Sequence, residues 1–122
     1  MPKKTEVPEP IKRLVFIGNA QKALQRFPTI VRDVAGQAIR NAQHGAKHPS
    51  AKPMKGFGGA SVVEIVSRVS DGTYRIVYTT VIAEFVIILH AFQKKSKRGI
   101  ATPKQELDLI KSRLKEAKDR YK

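Results

Sequence analysis

Two β-rich runs stand close together past the middle of the chain, TYRIVYTTV at 73–81 and FVIILHAF at 85–92, and the second breaks at once into charge. Their branched and aromatic residues suit the interior of a sheet better than a helix. Lys94, Lys95, Lys97 and Arg98 follow the last apolar residue within six positions. A buried strand should therefore deliver a basic cluster to its own exposed end, and the rest of the chain should cover or extend that sheet.

A third run, Val62 to Val69, precedes these two across Ser70, Asp71, Gly72 and Thr73. An Asp-Gly pair between β-runs signals a two-residue hairpin. With Ser70 paired to Thr73, Arg68 falls opposite Arg75, Val66 opposite Val77 and Glu64 opposite Thr79. Opposed like charges are unfavourable on a sheet, so Glu64 or a bound anion should offset the arginines. A tight turn at Ile82 and Ala83, with Val81 opposite Glu84, would put Arg75 opposite His90. Arg68, Arg75 and His90 then share a face across three strands. Two readings of that row stay open: a functional constellation, or unrelated residues with His90 hydrogen-bonded structurally.

The remaining elements follow from local signals. Residues 1–10 hold three prolines and little apolar material, a flexible arm before one domain at 11–122. Leu14 to Ile17 reads as a short strand ended by Gly18, and Asn19 can cap the helix that carries Leu24 and Phe27. Pro28 opens a second helix, to Gln43, whose Val31, Val34, Ala35, Ala38, Ile39 and Ala42 recur at helical spacing; Gly45 ends it. Residues 45–59 read as loop. Within them KPMKGFGG sets Lys52 and Lys55 on a glycine-rich stretch that could approach phosphates but lacks the spacing of a nucleotide-binding loop. The last helix starts with a Thr102–Gln105 capping box and Pro103 at its first position. Leu107, Ile110, Leu114, Ala117 and Tyr121 form its apolar stripe.

Charge bounds the partners. The 122 residues carry 24 Lys and Arg against 10 Asp and Glu, a net +14. Residues 1–60 contribute +8, residues 61–93 contribute −1 and residues 94–122 contribute +7. A near-neutral centre between basic flanks fits a buried sheet inside a solvated shell that meets polyanions, nucleic acid or ribonucleoprotein before others. There is no cysteine, so disulfides and thiolate metal sites are excluded. His44 and His48 have no third ligand beside them, and no metal or other cofactor is expected. No apolar run reaches the roughly 18 residues that span a bilayer, which leads to the expectation of a cytoplasmic protein without a membrane partner.

The order KRLVFIGN, FPTIVRDVAGQAIRNAQHG, KPMKGFGG, DGTYRIVY and LHAFQKKSKRGIATPKQE resembles the phage-associated HigB branch of the RelE/ParE toxin superfamily, over roughly residues 11–118. The LHAFQKKS and TPK blocks carry most of the specificity. The resemblance implies a small α+β fold: a mainly antiparallel sheet of about four strands, two N-terminal helices and a C-terminal helix. It also implies an antitoxin encoded by the adjacent gene, often a helix-turn-helix protein, and metal-independent cleavage of mRNA on the ribosome.

Residue by residue, Arg75 matches the arginine of the superfamily's YR motif, which meets the reacting phosphate. Lys94 falls near the basic position just after the last strand, with Lys95 as its close alternate. His90 belongs to the branch's own motif, and a histidine, with an unperturbed pKa of roughly 6.5, can transfer protons. Arg75, His90 and Lys94 are thus the expected catalytic residues. Lys52, Lys55, Arg68, Lys95, Lys97 and Arg98 are the expected RNA- and phosphate-binding residues. No tyrosine stands between Phe92 and Lys104, where some relatives keep a base, so the general base is unassigned. Two other readings fit the same residues: a ParE-like inhibitor of a topoisomerase, and a non-catalytic basic nucleic-acid-binding protein.

Overall fold

The computed structural model describes residues 11–59, 61–94 and 102–121. The expected arm at 1–10, and Lys95, Lys97 and Arg98, lie outside them. The elements in chain order are β1 (Arg13–Phe16), α1 (Ala20–Gln25), α2 (Thr29–Gln43), β2 (Ala51–Pro53), β3 (Val63–Val69), β4 (Gly72–Thr79), β5 (Phe85–Lys94) and α3 (Lys104–Arg120).

Alternation along β4 dictates the layering. Successive side chains of a strand point to opposite faces, and both faces of β4 are buried: Tyr74, Ile76 and Tyr78 enter one core, and Val77 enters the other between the buried Arg75 and Thr79. Such a strand needs cover on both sides. The first core is closed by Ala20, Val31, Ala35, Ala38, Ile39 and Ala42 from α1 and α2. The second is closed by Leu107, Ile110, Leu114 and Ala117 from α3. The predicted stripes of α2 and α3 are the faces that pack.

The fold is α+β, with five strands in the order β1-β5-β4-β3-β2 rather than four. β1 runs parallel to β5, and the other neighbours are antiparallel. The added strand is β2, inside the segment read as loop. It is three residues long, ends in Pro53 and pairs Lys52 with Glu64.

Both hairpin registers differ from expectation, the first by two positions and the second by one position next to its turn and by two beyond a bulge. Val69 pairs with Gly72, so the turn residues are Ser70 and Asp71, and Arg68 lies opposite Thr73 instead of Arg75. Gly72 takes φ +141°, a conformation open to glycine, and Asp71 accepts a hydrogen bond from the Tyr74 hydroxyl at 2.9 Å. In the second hairpin β4 stops at Thr79, opposite Ile87, and Ile82 is buried as the first residue of a turn centred on Ala83 and Glu84, its carbonyl accepting from the Phe85 N–H at 3.1 Å. Arg75 consequently lies opposite Phe92, and His90 opposite Val77. A bulge between Val77 and Tyr78 sets Leu89 and His90 against one residue. The two-position shifts leave faces unchanged, whereas the one-position shift before the bulge turns Val86 and Ile88 to the α1 and α2 side and Ile87 and Leu89 to the α3 side. Arg68, Arg75 and His90 still share the α3 side of the sheet, without forming a row.

Two expected caps do not form. α3 begins one residue later than predicted, with Pro103 before its first turn and no side-chain cap, so the Thr102–Gln105 box is absent. Asn19 precedes α1 but gives it no side-chain hydrogen bond. Its Oδ1 instead accepts from Arg113 Nη2 at 2.9 Å. Gly45 does end α2, its N–H bonding the carbonyl of Ala42 at 3.0 Å.

Candidate functional site

On the α3 side of the sheet, β2, β3 and β4 and the start of α3 enclose a cavity of about 340 Å³. Four expected phosphate contacts meet there: Lys52 from β2, Lys55 just beyond it, Arg68 from β3 and Arg75 from β4. Pro53, Met54, Thr102 and Leu107 complete the lining with Glu64. Lys52, Lys55 and Arg68 are exposed at the rim, whereas Arg75 is 4% exposed.

Glu64 is the residue that sequence reasoning had cast only as a charge offset. It does offset Arg75: Arg75 Nη1 donates to Glu64 Oε1 at 2.6 Å, an ion pair with both side chains buried. It is also the one carboxylate among the described residues of the lining. The signal was its position. Glu64 is the sole acid of its strand, on the face where Arg75 later falls, but only the true register makes the two diagonal neighbours.

The expected catalytic residues are only partly gathered. Lys94, 9% exposed, ends β5 opposite Thr73, on the same face as Arg75 and next to it along the strand pairing. His90 does not line the cavity. It is 7% exposed and stacked on Phe92, with ring centroids 4.8 Å apart. Its Nε2 lies 2.6 Å from Glu106 Oε1, and its Nδ1 lies 3.3 Å from Arg113 Nη1. Arginine can only donate, so Nδ1 accepts and Nε2 carries the proton that goes to Glu106. Burial pushes the His90 pKa below its usual value, with Arg113 adding to the effect and Glu106 opposing it.

Arg113 extends this network. Its Nη1 also donates to the carbonyl of Leu89 at 2.9 Å, and its Nη2 reaches Asn19. One guanidinium thereby ties α3 to the bulge in β5 and to the start of α1. Gly18 lies against it with φ +58°, and a Cβ there would stand 2.7 Å from Nη2.

No group of three or more His, Asp or Glu that could hold a metal occurs among the described residues. No described helix is long and apolar enough to cross a membrane. The chemistry on offer is that of fixed cations with one carboxylate, suited to a phosphodiester.

Residues 22–115 match the family model described as phage derived protein Gp49-like (DUF891). No curated protein matches significantly. Among solved structures, the chain is similar to one from the toxin–antitoxin complex RelBE2 of Mycobacterium tuberculosis. Identity is 15% and the TM-score 0.45, over 70% of this chain and 94% of that one.

Proposed function

Since the chain belongs to the phage-derived Gp49-like family, we propose that it is a RelE/HigB-like toxin that acts by cutting ribosome-bound mRNA and that an acidic segment of a cognate antitoxin silences it. The observation that carries this reading is the cavity itself, which gathers Lys52, Lys55, Arg68 and Arg75 around Glu64.

Cleavage by the RNA's own 2′-hydroxyl needs a base, charge compensation on the phosphorus oxygens, and a proton for the departing 5′-oxygen. Glu64 takes the hydroxyl proton. The new bond from the 2′-oxygen to phosphorus forms as the bond to the 5′-oxygen breaks, leaving a 2′,3′-cyclic phosphate and a 5′-hydroxyl. Arg75 meets the charge that grows on the phosphate, its fork suited to two oxygens. Lys94 stands beside it, and an ammonium at the cavity rim protonates the leaving oxygen. His90, expected as a proton-transfer group, becomes a positioning residue, because Glu106 and Arg113 occupy both of its nitrogens. It holds α3, and with it Leu107, against the sheet.

Induced expression followed by mapping of mRNA 5′ ends tests the reading. Cuts in phase with the reading frame are expected. DNA damage without phased cuts would instead identify a topoisomerase inhibitor.

A further inference from the structure

A second cavity, of about 500 Å³, opens on the other side of the sheet, between α1 and the ends of β4 and β5. Its wall carries Lys22 and Arg26, four residues apart and both exposed, so they share one face of α1. Its base is aromatic and apolar. Phe27 packs on Tyr74 with ring centroids 4.7 Å apart, and Ala91 lies beside them, whereas the Phe92 ring faces the α3 side. Asn19 and Gln93 add side-chain amides, each engaged at one atom: Asn19 Oδ1 accepts from Arg113 Nη2, and Gln93 Nε2 donates to the carbonyl of Asp71 at 2.8 Å. No carboxylate lines it among the described residues.

Cations at the mouth, flat apolar groups below and amides at the edge form the combination that takes a nucleotide: phosphate outside, base inside, hydrogen bonds along the base edge. An acidic peptide would use the cations but leave the aromatic floor and the amides without matching groups. The two cavities are linked by register. Tyr74 lines this one and Arg75 the catalytic one, as consecutive residues of one strand facing opposite sides. Both therefore lie at the Thr73 and Lys94 end of the sheet.

We infer that the groove between α1 and β5 is a second nucleotide-binding subsite, which holds a single-stranded RNA segment flanking the one in the Arg75 cavity. This rests on the RNA-cleaving reading, although its test does not need cleavage.

The probe is a fluorescein-labelled oligouridylate on the order of ten nucleotides, titrated into the Glu64→Gln protein, which should bind without cutting. Lys22→Gln with Arg26→Gln should weaken binding and flatten the dependence of log K on log salt by roughly 0.7 for each phosphate that is no longer neutralised. Amide resonances of Ala23, Phe27 and Gln93 should shift on titration with the oligonucleotide, and less with a duplex of the same length, whose bases are stacked away. An unchanged salt slope in the double variant, or shifts confined to residues of the Arg75 cavity, would overturn the inference. So would shifts in the α1 groove produced by a poly-glutamate peptide and not by RNA. Absence of phased mRNA cleavage by the unsubstituted protein in cells, with this binding pattern intact, would count against the catalytic reading alone.

Discussion

At the scale of single residues, the Glu64–Arg75 pair is the most informative interaction. Arg75→Ala should slow single-turnover cleavage of programmed ribosomes by about 10²- to 10³-fold, as expected when one group that meets transition-state charge is removed. Glu64→Gln keeps the side chain's shape and removes a base, so it should slow the same step by about 10²-fold or more with ribosome binding intact. Wild-type rates in both variants would sink the assignment. His90 makes a separate prediction about stability. Its neutral form is favoured by folding, so the unfolded chain binds the proton more readily than the folded protein. The stability it contributes is full above the unfolded value of about 6.5 and is lost as pH falls through its lower folded value. Thermal midpoints should drop as pH is lowered from about 7, and His90→Gln should flatten that drop. An equally steep profile in the variant would exclude His90 as the source.

At the scale of elements, two glycines should behave in opposite ways. Gly36, within α2, would place a Cβ no closer than 3.6 Å to Arg40, so Gly36→Ala should stabilise the protein by about 0.5 to 1 kcal/mol in chemical denaturation. Gly18→Ala imposes a left-handed conformation on alanine and pushes on Arg113, and should cost about 1 to 2 kcal/mol. That cost should shrink in an Arg113→Ala background if the guanidinium matters. Strict additivity would refute the coupling. These elements also show what the sequence could reveal. α2 and α3 were legible because apolar residues repeat at helical spacing, and the faces of β3, β4 and the end of β5 were legible because alternation survives an even slip, whereas the bulge reverses the faces in the first half of β5. Register was not legible, since the conformation of Gly72 and the burial of Ile82 depend on packing that only the folded sheet provides. β2 escaped notice because three residues ending in proline carry no period. Arg113 and Asn19 gave no local sign of meeting, with 94 positions between them. At the site, the cations could be nominated by type, whereas Glu64 could not be paired with Arg75 until the strands were aligned.

At the scale of the molecule, a net +14 should set how fast an acidic partner arrives more than how tightly it stays. Association with an acidic antitoxin segment, followed by stopped flow, should slow by about tenfold or more between low and near-molar salt, while dissociation changes little. An association rate indifferent to salt would show that charge does not guide the encounter. The pairing of β1 with β5 bears on something else, the order in which the protein comes into being. More than half of the chain separates Arg13 from its neighbour Phe85, and such distant pairings form late. During synthesis Lys52, Lys55 and Arg68 emerge before α3, which brings Thr102 and Leu107 to close the cavity. A growing chain is thus a diffuse polycation, and the chamber that gives its charges a focus exists only once the last helix has been made.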